Sequence, residues 1–119
     1  MATFQLLVTD GPDLGRTLPI EDGVTLIGRF ESSHPNDPPN SKRLTLIDKT
    51  VSRTHAQIYL SPFEGPTLTH LSETNDTYLE GKKVIEETLL PGQIVRMGQT
   101  SLELQKHDGW DRPIEEGLA

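Results

Sequence analysis

Turn signals recur along this chain at intervals of roughly ten residues, and that rhythm excludes most folds. Asp10–Gly15, Asp22-Gly23, Ser61–Pro66, Glu80-Gly81 and Pro91-Gly92 all pair residues that tolerate tight-turn dihedrals. Between them the apolar positions alternate at the strand period of two: Phe4, Leu6 and Val8, then Ala56, Ile58 and Leu60, then Leu102 and Leu104. From Thr3 to Gly28 no segment keeps helical spacing. Strands are predicted over Thr3–Thr9, Arg16–Ile20, Val24–Gly28, Arg43–Ile47, the Ala56–Leu60 run, Thr67–Leu71, Tyr78-Leu79, a weakly alternating Val84–Leu90, Ile94–Met97 and Thr100–Gln105. The fold class that follows is an all-β sandwich.

A chain of 119 residues fits one domain with a single core. That domain is expected at 1–107, followed by a tail at 108–119 that either packs Trp110 on the sandwich edge or frays. Phe30–Lys42 carries three prolines and no aliphatic residue, which reads as an exposed loop; His34 within it reads as a solvated residue and not a metal ligand. No cysteine is present, so disulfides and thiolate metal sites are excluded, and neither metal nor cofactor is expected. No apolar run has membrane-spanning length, and Met1–Val8 lacks the basic and apolar regions of a secretory signal. A soluble cytoplasmic domain, with no membrane insertion, is the expectation.

The formal net charge of −7 argues against a nucleic-acid partner, because such binding needs a basic face to displace counterions. The positions of the cations matter more than their number. Arg29, Lys42, Arg43, Lys49, Arg53, Lys82 and Lys83, out of 11 Lys and Arg in all, fall in or beside three turn-rich segments. If those segments converge, they set a local positive field on an acidic body, suited to an anionic ligand.

The three segments also carry the chemistry. Gly28-Arg29 ends an apolar run, Asp48–Tyr59 places Ser52 and His55 at the mouth of a strand, and Leu71–Gly81 holds Thr74, Asn75 and Thr77 between two strands. Arginine grips two phosphate oxygens at once, hydroxyls donate to a third, and an asparagine carboxamide can both donate to and accept from a peptide backbone. Each residue alone reads as ordinary turn or surface chemistry. The joint order Gly28-Arg29, Ser52-x-x-His55, Thr74-Asn75-x-Thr77, Gly81 resembles a forkhead-associated (FHA) domain, over roughly residues 3–106.

That resemblance implies two twisted, mainly antiparallel sheets with the ligand loops at one end. It implies a partner that is a threonine-phosphorylated protein or peptide, and an adaptor function in signalling or assembly. By position, Arg29, Ser52 and Thr74 would contact the phosphate, Asn75 and Arg53 would hold the peptide main chain, and Thr50 would read the residue three after the phosphothreonine. Gly28, His55 and Gly81 would support the site, His55 from a buried position. Two departures stand out: the long Phe30–Lys42 loop, and Asp76 where the family has a glycine suited to positive φ. A carboxylate there is expected to repel the phosphate, unless Lys82 or Lys83 pairs with it.

Two other readings compete with this one. A phospho-independent scaffold subunit would keep the fold and dock constitutively. A hydrolase using Ser52, His55 and Asp48 lacks a glycine-flanked nucleophile elbow and an oxyanion turn, so no enzymatic activity is expected.

Overall fold

The computed structural model describes residues 2–29 and 37–108. Most of the predicted proline-rich insertion, with His34, and Trp110 with the rest of the tail beyond residue 108 lie outside the described residues. Every regular element described is a strand. They are β1 (Ala2–Asp10), β2 (Thr17–Ile20), β3 (Gly23–Gly28), β4 (Lys42–Thr45), β5 (Ala56–Leu60), β6 (Thr67–His70), β7 (Thr77–Leu79), β8 (Lys82–Lys83), β9 (Glu86–Thr88), β10 (Ile94–Met97) and β11 (Thr100–Asp108).

They form two sheets, one in the order β2-β1-β11-β10-β7-β8 and one in the order β4-β3-β5-β6-β9. All pairings are antiparallel except β3 with β4. The predicted sandwich is therefore the observed one, and its alternating residues supply the two inner faces. Leu6, Val8, Leu18, Ile20, Val95, Met97, Leu102 and Leu104 come from one sheet, and Ile27, Ala56, Ile58, Leu60 and Leu68 from the other; all are buried. Leu46, Val51 and Leu89 complete the core from segments between strands; Leu46 and Leu89 fall within the predicted Arg43–Ile47 and Val84–Leu90, whose observed strands end earlier, at Thr45 and Thr88.

One predicted strand is shortened, and a strand that was not predicted precedes it. Of Val84–Leu90 only Glu86–Thr88 is a strand, paired with β6 in one sheet, while Lys82-Lys83 just before it pairs with β7 in the other. The chain changes sheets between them. The Val84 amide donates to the Thr77 carbonyl (3.0 Å), and the Ile85 carbonyl accepts from the His70 amide (2.7 Å). The change of sheet leaves Lys82, Lys83, Glu86 and Glu87 all exposed, which is where their charges belong. The Glu80-Gly81 turn that starts this segment has positive φ at both residues, 51° and 82°, the geometry that matches a two-residue hairpin to strand twist.

Candidate functional site

At one end of the sandwich the segments following β3, β4, β6 and β10 meet. The joints are specific. The Arg29 amide donates to the Ser52 carbonyl (3.1 Å), the Leu71 amide to the His55 carbonyl (2.9 Å), and the Gln99 amide to a carboxylate oxygen of Asp48 (2.8 Å). Gly28 shows why the strand before Arg29 must end without a side chain. A β-carbon there would overlap the backbone carbonyl of Arg53, so only glycine lets the β4–β5 segment lie against β3.

Two buried polar residues hold the β4–β5 segment in place. Asp48 accepts hydrogen bonds from the Thr50 amide (2.8 Å), the Thr50 hydroxyl (2.6 Å), the Gln99 amide (2.8 Å) and the Thr100 hydroxyl (2.8 Å). Burial pushes its carboxyl upward, but the bonds from Thr50, Thr100 and Gln99 outweigh burial and hold it below the usual carboxylate range. His55 is fully buried. Its Nδ1 accepts from the Ser52 amide (3.1 Å), which leaves the proton on Nε2 to donate to the Asp76 carbonyl (3.1 Å). Burial pulls the imidazole below its ordinary range; the bond to Asp76 opposes this, and nearby His70, at 5.9 Å between ring centres, adds to it.

The segments enclose a depression of about 410 Å³. Arg29, Lys49 and Arg53 line it, together with Ser52, Ser72, Thr74 and Asn75. The Arg29 Nε donates to the Val51 carbonyl (2.9 Å), which fixes the guanidinium plane at the wall. Ser52 Oγ lies 2.6 Å from Ser72 Oγ and 3.4 Å from Thr74 Oγ1, and Asn75 Nδ2 donates to Ser52 Oγ (3.0 Å) and Thr74 Oγ1 (3.3 Å). Beside this depression lies a shallow groove of about 440 Å³ lined by Thr50, Thr74, Asn75, Asp76, Tyr78, Gly98 and Gln99. One end of the molecule thus sets three cations, four hydroxyls (Thr54 being the fourth) and one carboxylate, that of Glu73, around a depression suited to an anion, next to a groove for what the anion is attached to.

Of the nine residues named from sequence, Arg29, Ser52, Arg53, Thr74 and Asn75 meet in the depression and Thr50 lies in the groove. Gly28 and His55 stand behind it. Gly81 is not brought to the site; it turns the β7–β8 hairpin. The cation cluster is smaller than expected. Arg43 is clamped by both carboxylate oxygens of Asp37 (2.9 Å each), Lys42 pairs with Glu21 (2.9 Å), Lys83 stands 3.7 Å from Asp76 and Lys82 lies in β8; Arg29, Lys49 and Arg53 line the pocket. Positive φ occurs at Asn40 and Glu80 among the described non-glycine residues and not at Asp76, so the aspartate causes no backbone strain there.

Sequence reasoning missed Ser72. Its hydroxyl accepts from the amides of Thr74 (3.1 Å) and Asn75 (3.0 Å), the pattern of a serine-capped turn. A serine two residues before Thr74 in a turn-rich stretch is the signal that could have found it. The hydrolase arrangement is absent from the geometry. Both His55 nitrogens face backbone groups, the Ser52 hydroxyl faces Ser72 and Asn75, and the Asp48 carboxylate is taken by Thr50, Gln99 and Thr100. The three side chains form no proton relay.

Residues 7–108 match the family model described as the cytoplasmic domain of an inner membrane component of T3SS. A comparison with curated proteins finds no match. Solved structures do match. An FHA domain from work on phosphothreonine-dependent FHA interactions superposes with a TM-score of 0.71 at 27% identity, covering 89% of this chain and 98% of that one. The FHA domain of the CT664 protein from Chlamydia trachomatis gives 0.70 at 26% identity, covering 89% and 99%. The FhaA FHA domain, solved in complex with the intracellular domain of Rv3910, gives 0.68 at 27% identity, covering 88% and 100%. The chain is an FHA domain and belongs to the family described as the cytoplasmic domain of an inner membrane component of T3SS.

Proposed function

We propose that this domain binds threonine-phosphorylated segments of partner proteins and acts as an adaptor in signalling or assembly. The observation that carries the reading is the convergence of Arg29, Ser52 and Thr74 on one depression, with Asn75 at its rim and the Thr50 groove alongside. Arg29, Ser52 and Thr74 take the phosphate oxygens, Asn75 and Arg53 hold the peptide main chain, and Thr50 contacts a residue further along. A hydrogen bond to a charged group contributes about 1.5–3 kcal/mol net. Three or four of them, less ordering costs, correspond to roughly −8 kcal/mol and micromolar affinity. The relative solved in work on phosphothreonine-dependent interactions supports this reading. The family description supports the cytoplasm as the working compartment.

The same description favours a second reading, in which the domain docks constitutively as part of an assembly. Phosphatase treatment of the captured partner separates the two, because only the phosphothreonine reading loses binding. Identical peptides carrying phosphothreonine or phosphoserine give a finer test. The γ-methyl of threonine, buried on binding, contributes roughly 1 kcal/mol, so a several-fold preference for phosphothreonine is expected. Equal affinities measured by fluorescence polarisation would count against a methyl-accepting pocket.

Asp76 is expected to have a small effect. Its carboxylate lies 3.7 Å from Lys83, with the two side chains 45% and 64% exposed, and such surface pairs are weak. Repulsion of a doubly charged phosphate about 8 Å away is on the order of 1 kcal/mol before screening, and Lys83 offsets part of it. Asp76→Asn should tighten binding by about twofold at low salt, with the gain fading as salt rises. Weaker binding by this variant at low salt would mean that the Asp76–Lys83 pair orders the site instead.

A further inference from the structure

The hydroxyl cluster contains a direction. Ser72 Oγ receives two backbone amides, from Thr74 (3.1 Å) and Asn75 (3.0 Å), and a serine oxygen has two acceptor positions. Both are then filled. With its lone pairs committed, Ser72 can approach Ser52 Oγ at 2.6 Å only as the donor. Ser52 Oγ also receives Asn75 Nδ2 at 3.0 Å. Its acceptor positions are filled in turn, and its own hydrogen is the one group left to give away. Backbone amides cannot reverse their role, so they fix the polarity of the whole chain.

We infer that Ser72 is a positioning residue that fixes Ser52 as a hydrogen-bond donor toward the bound phosphate, an inference that rests on the phosphothreonine reading above. Thr74 Oγ1 receives Asn75 Nδ2 (3.3 Å) and keeps one acceptor position, so its direction is not fixed in the same way. Toward the phosphate position Ser52 and Arg29 therefore present hydrogens, while the one carboxylate lining the depression is that of Glu73. The ligand oxygen that faces Ser52 must accept. That selects the phosphate dianion over the monoanion, whose P–O–H would face a donor, and the second phosphate pKa is roughly 6.

The test uses the whole chain and a phosphothreonine peptide with its unphosphorylated twin. In ligand-free protein, Ser72→Ala should speed amide exchange at Thr74 and Asn75, while Ser52→Ala leaves those amides protected. Ser72→Ala should weaken phosphopeptide binding by about tenfold, the effect of roughly one lost charge-directed bond. Ser72→Thr, which keeps a hydroxyl, should restore most of it. In a Ser52→Ala background the added Ser72→Ala change should cost little, since there is no Ser52 hydrogen left to aim. Affinity should also fall as pH drops through the second phosphate pKa, and less steeply in Ser72→Ala than in wild type.

Unchanged exchange at Thr74 and Asn75 in Ser72→Ala would overturn the inference, as would an undiminished tenfold loss in the Ser52→Ala background. Should wild type fail to bind either peptide, the phosphothreonine reading falls, and the selection of a dianion with it. The exchange rates in free protein still decide whether Ser72 sets the hydrogen-bond direction.

Discussion

Arg29→Ala is expected to abolish measurable phosphothreonine-peptide binding while the protein stays folded. The side chain sits on the wall of the depression, tethered through Nε to the Val51 carbonyl at 2.9 Å, and it adds nothing to the hydrophobic core. Truncating one partner of a close, hydrogen-bonded charge pair costs about 2–5 kcal/mol in binding. From a micromolar start that loss moves affinity to the sub-millimolar range or beyond. Ser52→Ala should weaken binding by less, because a neutral donor is lost in place of a cation. Isothermal titration of folded Arg29→Ala is the check, and wild-type affinity would remove Arg29 from the site.

His55→Ala should act on the fold first. The ring is fully buried and satisfies the Ser52 amide and the Asp76 carbonyl, so its loss strands two backbone groups and opens a cavity between the two site loops. A loss of about 3 kcal/mol is expected, which lowers Tm by roughly 10–20 °C for a domain of this size. The same ring sets a pH dependence. Burial holds its folded pKa below the ordinary imidazole range, so the unfolded chain binds the extra proton first. Its contribution to stability is therefore complete above about 6.5 and lost as pH falls through the folded pKa. Protonation at Nδ1 would also replace the acceptor that holds the Ser52 amide. Melts from pH 7.5 to 5.5 should show wild type losing stability and His55→Ala losing much less across that interval. A variant that melts with wild type at pH 7.5 would contradict the structural role of His55.

The chain discloses its fold more readily than its site. Leu6 with Val8 and Ala56 with Ile58 and Leu60 announce their faces because a half-buried strand must alternate. Val51 is as deeply buried, yet it stands between strands, where no period applies. The change of sheet at Val84-Ile85 is hidden for a related reason: its flanks are exposed charges, and a segment without a buried face has no marked register. In the site, Arg29, Ser52, Thr74 and Asn75 are ordinary turn and surface residues one at a time, and only their joint order points to a phosphate. The cation cluster misleads because charge in sequence does not say which carboxylate is near. Asp37 clamps Arg43 and Glu21 holds Lys42 through contacts that only the folded chain creates. Ser72 escapes notice because its importance lies in which of its lone pairs are already filled.

The central claim is that the depression walled by Arg29, Ser52 and Thr74 binds a phosphothreonine. An amide-resolved NMR titration of the domain with a phosphothreonine peptide and with the same peptide unphosphorylated tests it most directly. The phosphorylated form should shift the amides of Arg29, Ser52, Arg53, Thr74 and Asn75 and, more weakly, those along the Thr50 groove, with the far end of the sandwich at Ser61–Gly65 unmoved. The unphosphorylated form should shift none of them at the same concentration. Equal shifts from both peptides, or shifts that avoid these five amides, would contradict the claim.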